Sequence, residues 1–469
     1  MSPASRRAWW PKGLHSARVD YSETFAPVLH YKSLRVILAL VATLDYELLQ
    51  MDVPTAFLNA ECKEDVYMKP PPGGLDDGDG AGPDLVCKLI KALYGIKQAP
   101  REWNGNINNA IIALGYKRCV ADPCVYVKIS KTGRVMIIPI FVDDAFPACH
   151  TEDMAELRAD LKKLMEKYEI PQCEEATVVL GMRITRDRAA RTLKLDQEVY
   201  MRQLLAKHGM TDCNPALTPL EERSSKPNVV SEEAQPEDAN GQWRSHYGSL
   251  VGALLYAALS TRPDIAYASG VMARVVSNPS YADWLAAKRV LRYVKGTASM
   301  GLTYGRGTQG DGRISMAPCF SDADWAGDTV DRRSTTGLIL KVNGCTVSWA
   351  SKKQQTVSLS SAEAEYMAAG AATQEIIWLR GLLGELSFAQ EEPTALQVDN
   401  QSAMAMASDD VHHARTKHID IRHHFIRQHI SEGTLRLGWV SSAEQEADIL
   451  TKPLGRVLFI KLRERLMGM

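Results

Sequence analysis

The spacing of apolar residues along the chain changes character several times. The first dense run, Val36–Val41, is followed by Gln50-Met51-Asp52-Val53, which closes an apolar stretch and places Asp52 at a strand end. Two short apolar segments flank Asp143-Asp144 in IIPIFVDDAF (Ile137–Phe146), a pattern that predicts a hairpin with both acids at its turn. Tyr247–Leu259 and Tyr281–Val294 carry apolar residues at helical spacing, with Asn278-Pro279-Ser280 ahead of the second.

Beyond residue 313 the rhythm predicts a complete order of elements. Ile314–Ser321 reads as a strand. Thr336–Val342 and Cys345–Ala350 flank Asn343-Gly344, the strongest short hairpin signal. A helix over Ser361–Leu386 is followed by a strand Thr394–Val398, a helical stretch His413–Ile430, a strand Thr434–Val440 and a helix opening near Ser442. Three antiparallel strands, then alternating helices and strands, predict an α/β domain with a mixed sheet.

Gly/Pro-rich polar stretches punctuate this pattern at Pro70–Pro83, Glu221–Gly241 and Tyr304–Asp311. They divide the 469 residues into three expected segments, 1–220, 221–305 and 306–469. At ~100–200 residues per domain this length suits two to four domains.

Composition narrows the class. The net charge of -1 does not announce a nucleic-acid binder, so any basic surface is local. Nine cysteines, odd in number and without a CxxC pair, argue against a disulfide framework or zinc knuckle and fit an intracellular protein with reduced thiols. The N-terminus has no apolar signal core, and the apolar runs are too short for a bilayer span, so no membrane partner is expected.

The acids carry the chemistry. Asp322 ends a predicted strand, Glu365 lies in the first turns of a helix, Asp399 ends another strand, and Asp448 falls in the last predicted helix. Carboxylates converging on one side of a sheet repel each other unless cations sit between them. Magnesium takes oxygen ligands, and two such ions suit phosphodiester hydrolysis. Glu363 lies two residues before Glu365, points elsewhere and fits a capping box with Ser360, so Glu365 is assigned to the metal set. Asp324 is the weaker alternative to Asp322. In the first segment, Asp52, Asp143 and Asp144 form a second set suited to nucleotidyl transfer. His412, His413, His418, His423, His424 and His429 cluster with Arg415, Lys417, Arg422 and Arg427. A basic helix face near nucleic acid explains them better than a metal site does.

Longer motifs bind these observations together. YSETFAPV (Tyr21–Val28), MDVPTAFLNAECKEDVYMKPPPG (Met51–Gly73), LYGIKQAPREW (Leu93–Trp103), ADPCVYVK (Ala121–Lys128) and FVDD (Phe141–Asp144) resemble the reverse transcriptase of copia-type retrotransposons. YGSLVGALLYAALSTRPDIAYA (Tyr247–Ala268) resembles its connecting region. SDADWAGD (Ser321–Asp328), SLSSAEAEYMA (Ser358–Ala368), VDNQSA (Val398–Ala403) and EADILTKPL (Glu446–Leu454) resemble its ribonuclease H. The resemblance runs from about residue 20 to the end.

It implies a right-hand polymerase palm with truncated fingers, a helical connection and a ribonuclease H-like mixed-sheet domain. Asp52, Asp143 and Asp144 would be the polymerase metal acids, and Asp322, Glu365, Asp399 and Asp448 those of the ribonuclease. Phe57 stands at the place of the steric gate against ribonucleotides, or is a core ring. Gln98 stands in the segment touching incoming nucleotide and template. Lys97 and Arg101 are phosphate contacts or solvated charges. The implied cofactor is magnesium or manganese. The implied partners are an RNA template, a DNA primer, dNTPs and an RNA–DNA hybrid. Pro54, Pro139 and Pro147 depart from the family near the polymerase acids, and Pro139 falls in a predicted central strand. They support a second reading, a decayed copy with an inactive polymerase that retains hybrid cleavage or only nucleic-acid binding.

Overall fold

A computed structural model describes residues 24–70, 86–222, 242–305, 313–408 and 417–469. The chain mixes helix and sheet and divides into two compact units, residues 1–29 with 47–175, and residues 30–46 with 176–469. Most of Pro70–Pro83 and Glu221–Gly241, and His412, His413 and Arg415, lie outside the described residues.

The first unit is built on a seven-stranded sheet. Its strand Glu47–Asp52 pairs antiparallel with Asp144–Ala145, Ala148–Cys149 and Glu174–Glu175. Two helices cover it. Ala99–Ala113 has Pro100 in its first turn, where a missing amide costs nothing, and buries Trp103, Ile107 and Ile111. Met154–Tyr168 buries Leu157, Leu161, Leu164 and Tyr168. Both faces have helical spacing, and both join Met51, Met136, Ile138 and Ile140 of the sheet in one core.

The expected hairpin forms. Val135–Phe141 returns as Asp144–Ala145, with Phe141 opposite Asp144. Val142, in the turn, takes φ 59°, a left-handed conformation that is strained for a β-branched residue. Pro139 lies inside the strand, as expected. Its carbonyl accepts from the Phe146 amide, but it has no amide to return the bond. Phe146-Pro147 is also where the returning strand breaks between Ala145 and Ala148. Pro139 thus lies across from Phe146, beside the break that Pro147 closes.

In the second unit, helix Tyr31–Leu44 is buried along most of its length. Arg35 on it donates to the carbonyls of Val347, Leu259 and Ser260 and stacks on Trp349. The predicted helices appear as Gln242–Ser260 and Tyr281–Thr297, the latter opened by a capping box between Ser280 and Asp283. Between them Arg262 and Asp264 form a fully buried ion pair, with Tyr293 donating to Asp264.

A five-stranded sheet follows, in the spatial order Cys345–Lys353, Thr335–Val342, Cys319–Asp324, Thr394–Val398, Leu435–Trp439. The first three are antiparallel, and the last two run parallel to Cys319–Asp324. Asn343 and Gly344 both have positive φ, as their turn requires. Helix Ser361–Glu385 packs on the central strands.

Two boundaries differ from expectation. The first strand begins at Cys319 rather than Ile314, because Pro318 cannot donate to a ladder, so Asp322 lies inside the strand and not at its end. The helix expected near Ser442 is a short 3-10 turn, Glu446–Leu450, followed by a helix Arg456–Met467. Pro453 disfavours the helical conformation at Lys452 and separates the two. Asp448 therefore sits in the turn, not in the final helix.

Candidate functional sites

The second unit brings Asp322, Asp399 and Asp448 together. One carboxylate oxygen of each lies within 4.8 Å of the others. Asp322 is 1% exposed, at the centre of the sheet. Asp399 directly follows the parallel strand Thr394–Val398. Asp448 comes from the 3-10 turn. Glu365 reaches the group from the long helix. Burial, followed by repulsion from Asp322 and Asp399, raises its pKa far above the carboxylate range. Its Oε2 is buried without a hydrogen-bond partner. Burial and Asp322 likewise raise Asp448, and burial with Asp322 raises Asp399. Hard oxygen donors crowded together, with Glu365 Oε2 and Asp448 Oδ1 lacking hydrogen bonds, suit a hard divalent cation.

Neighbouring side chains fix these acids. The Thr451 hydroxyl donates to Asp322 Oδ2, and Ser442 Oγ donates to Asp399 Oδ2 at 3.0 Å. Gln445 Nε2 donates to the Ser321 carbonyl at 2.9 Å, tying the turn to the strand. Lys341 and Glu446, both buried, pair at 2.5 Å and anchor the start of the turn to strand Thr335–Val342. Gly337 stands opposite Asp322 on that strand. A Cβ there would lie 2.7 Å from Thr451 Cγ2, 2.8 Å from the Ala447 carbonyl and 3.1 Å from Leu450 Cβ. Only glycine lets the Asp448 turn lie this close to the sheet.

Glu363 is kept out of the acid group by capping. Its amide donates to Ser360 Oγ, and its Oε2 accepts from the Leu359 amide. Asp324 Oδ1 accepts from the Thr335 amide, and the residue stands outside the three-carboxylate group. Burial pushes Asp324 up to about 7.

The first unit places Asp52 and Asp144 as direct partners on adjacent antiparallel strands, with Asp143 in the turn beside them. The Asp143 carbonyl accepts from the Val53 amide at 2.9 Å. Burial, then Asp143 and Asp52, push Asp144 up to about 6, and burial raises Asp143. Asp52 is exposed. Pro54 follows the strand and leads into the turn Ala56–Asn59, where no ladder amide is needed. Phe57, on that turn, is half-buried and packs on Tyr94 with ring centroids 4.5 Å apart. Gln98 is buried and donates to Glu64 Oε2 at 2.6 Å. Lys97 is exposed and Arg101 half-buried, both near the start of helix Ala99–Ala113.

Three residues here escaped the sequence reading. Tyr94 lies close enough to Asp143 and Asp52 that, after burial, they raise its pKa. Trp103 Nε1 donates to the Val142 carbonyl at 2.6 Å and so holds the strained turn between the acids and their strand. Gly337 showed only as a glycine inside a strand pattern. Tyr94 and Trp103 stood inside a quoted motif with nothing in their spacing to mark them. The basic helix forms as Lys417–Ser431, and His429 faces Glu432 at 3.1 Å. Among the described residues no histidine joins the carboxylate group.

Comparison with known proteins shows what the chain is similar to. The reverse transcriptase (RNA-dependent DNA polymerase) family profile matches residues 12–222. The chain is 38% identical over 452 residues to the retrovirus-related Pol polyprotein from transposon TNT 1-94 of Nicotiana tabacum, covering 96% of this chain and 33% of that protein. It is 36% identical over 441 residues to the corresponding polyprotein from transposon RE2 of Arabidopsis thaliana, covering 94% and 29%. It is 30% identical over 328 residues to the putative transposon Ty5-1 protein of Saccharomyces cerevisiae, covering 70% of this chain and 100% of that protein. The chain thus spans about a third of the length of the Pol polyproteins it matches.

Proposed function

We propose, from the premise that this chain belongs to the retrovirus-related Pol polyproteins of copia-type transposons and carries their reverse transcriptase domain, that it performs two phosphoryl-transfer reactions at two separate acid sites. The first site copies an RNA template into DNA from a DNA primer and dNTPs. The second cleaves the RNA strand of an RNA–DNA hybrid. The observation that carries this reading is the convergence of Asp322, Asp399 and Asp448, with the unsatisfied Glu365 beside them, in the element order of a ribonuclease H fold.

Asp322, Glu365, Asp399 and Asp448 would hold magnesium or manganese in the second site, and Asp52, Asp143 and Asp144 in the first. The ions supply charge neutralisation and a nucleophile of lowered pKa. The chain's own residues do the rest. Thr451 and Ser442 orient Asp322 and Asp399. The Asp448 turn, pressed against Gly337, sets the depth of the site. In the first unit, Trp103 holds the turn that presents Asp143 and Asp144. Phe57, braced by Tyr94, offers a rigid ring beside the acids, where a ribonucleotide 2′-hydroxyl would collide. Gln98, Lys97 and Arg101 stand on the neighbouring helix start as contacts for nucleotide and template.

One observation favours a second reading for the first site alone. The strand carrying Asp144 is interrupted at Phe146-Pro147, opposite Pro139. An element copy with an impaired polymerase and a working ribonuclease fits that interruption. The test is to incubate the purified chain in magnesium with a labelled RNA–DNA hybrid, and in parallel with a primed RNA template and dNTPs. Cleavage with extension supports both activities. Cleavage without extension supports the impaired polymerase. A folded chain that binds hybrid and does neither would contradict the catalytic reading.

A further inference from the structure

Four acids drawn together repel one another, yet the structure holds them in place through more than hydrogen bonds. Lys452 lies among them. Its Nζ is 2.8 Å from Asp448 Oδ1 and 3.9 Å from Asp322 Oδ2. The segment Thr451-Lys452-Pro453 is shaped to bring it there. The amides of Thr451 and Lys452 both donate to the Asp448 carbonyl at 3.2 Å, folding the chain back on the acid. Thr451 donates to Asp322 Oδ2, and the Lys452 ammonium stands 3.9 Å from the same oxygen. The four-residue spacing places Lys452 on the same face as Asp448, and Pro453 ends the turn just after it.

The ammonium bridges two of the three carboxylates whose oxygens gather within 4.8 Å. Two cations cannot share one carboxylate oxygen at contact distance without strong repulsion. The Lys452 side chain is 41% exposed, so it has a path into solvent. A lysine stem is flexible, and its ammonium is a point charge able to leave without rearranging the backbone.

We propose that Lys452 is a displaceable internal counter-ion. In the metal-free protein it bridges Asp448 and Asp322 and keeps the acids assembled, and a divalent cation entering the site displaces it. The inference rests on the reading of these acids as a metal site. It makes Lys452 a positioning residue with two opposed effects, stabilising the empty site and competing with the ion that fills it. A fixed structural salt bridge would have only the first effect.

The experiment is amine labelling of the full chain with acetic anhydride, read by mass spectrometry, in EDTA and in Mn²⁺. Exposed Lys162 serves as internal reference. Lys452 should label several-fold faster in Mn²⁺ than in EDTA relative to Lys162, and Asp448→Asn should speed it already in EDTA. Lys452→Met should bind Mn²⁺ several-fold more tightly while melting at a lower temperature in EDTA. Binding of Mn²⁺ that Asp448→Asn weakens, with Lys452 labelling unchanged or slowed, overturns the proposal alone. No Mn²⁺ binding sensitive to Asp448→Asn overturns the metal reading and the proposal with it. The labelling arm uses the unaltered chain, so a variant that fails to fold leaves the inference testable.

Discussion

The two acid groups stand on different supports. In the first unit Asp143 and Asp144 sit at a hairpin tip beside Asp52 on the adjacent strand. Asp52 is exposed, Asp143 and Asp144 are half-buried, and a strained Val142 is held by one indole hydrogen bond. In the second unit the acids come from four elements and are mostly buried. They are fixed by Thr451, Ser442 and Lys452, with a buried Lys341–Glu446 pair behind them. A site at a turn depends on few bonds and tolerates a proline nearby only where a strand can break. A site assembled across a sheet spreads its support over distant residues. Each is therefore vulnerable to different substitutions.

The largest expected effects are on activity. Asp448→Asn or Glu365→Gln should reduce hybrid cleavage to background in a gel assay and leave primer extension unchanged. Asp144→Asn should do the reverse. Retained full cleavage in either of the first two variants would remove that residue from the proposed metal set.

Next come effects on stability. Lys341→Met leaves Glu446 buried without its partner and should cost ~3–5 kcal/mol, seen as a lower denaturation midpoint. Hybrid cleavage should fall with it, because Glu446 opens the Asp448 turn. Gly337→Ala drives a methyl group into Thr451 and the Ala447 carbonyl and should cost ~1–3 kcal/mol. Its signature is weakened Mn²⁺ binding at the second site with extension intact. Trp103→Phe leaves the Val142 carbonyl without its indole donor, at ~1–3 kcal/mol. Extension should suffer while hybrid cleavage stays.

The smallest expected effect is a pH dependence in EDTA. Asp324 has its pKa raised from 3.8 to about 7 by burial. The folded state therefore takes up this proton at higher pH than the unfolded chain does. Stability should rise as pH falls from about 7 toward 4 and should be lowest above 7. Glu365 and Asp448 are raised in the same direction. The melting temperature in EDTA should be higher near pH 5.5 than near pH 8, and Asp324→Asn should flatten the difference. A rise in stability with pH over that range would contradict the burial of these acids.

Much of the fold was legible in the sequence because its signals are local. Asn343-Gly344 marked a turn that only two left-handed residues make, and the period of Thr394–Val398 set that strand to the residue. Ser360 and Glu363 announced the start of the long helix and explained why Glu365 is the acid that turns inward. What was not legible depends on contacts between distant segments. The clearance that makes Gly337 obligatory comes from residues more than a hundred positions away, as does the Lys341–Glu446 pair. The misplaced start of the strand carrying Asp322, and the helix expected around Asp448, both overlooked a proline: Pro318 before one, Pro453 after the other.

The most direct measurement is a crossed assay, with primer extension and hybrid cleavage run side by side on the unaltered chain, Asp144→Asn and Asp448→Asn. Two independent sites require each variant to lose only the activity of its own unit, with the other at the level of the unaltered chain. Loss of hybrid cleavage in Asp144→Asn, or its survival in Asp448→Asn, would contradict the assignment of two separate acid sites.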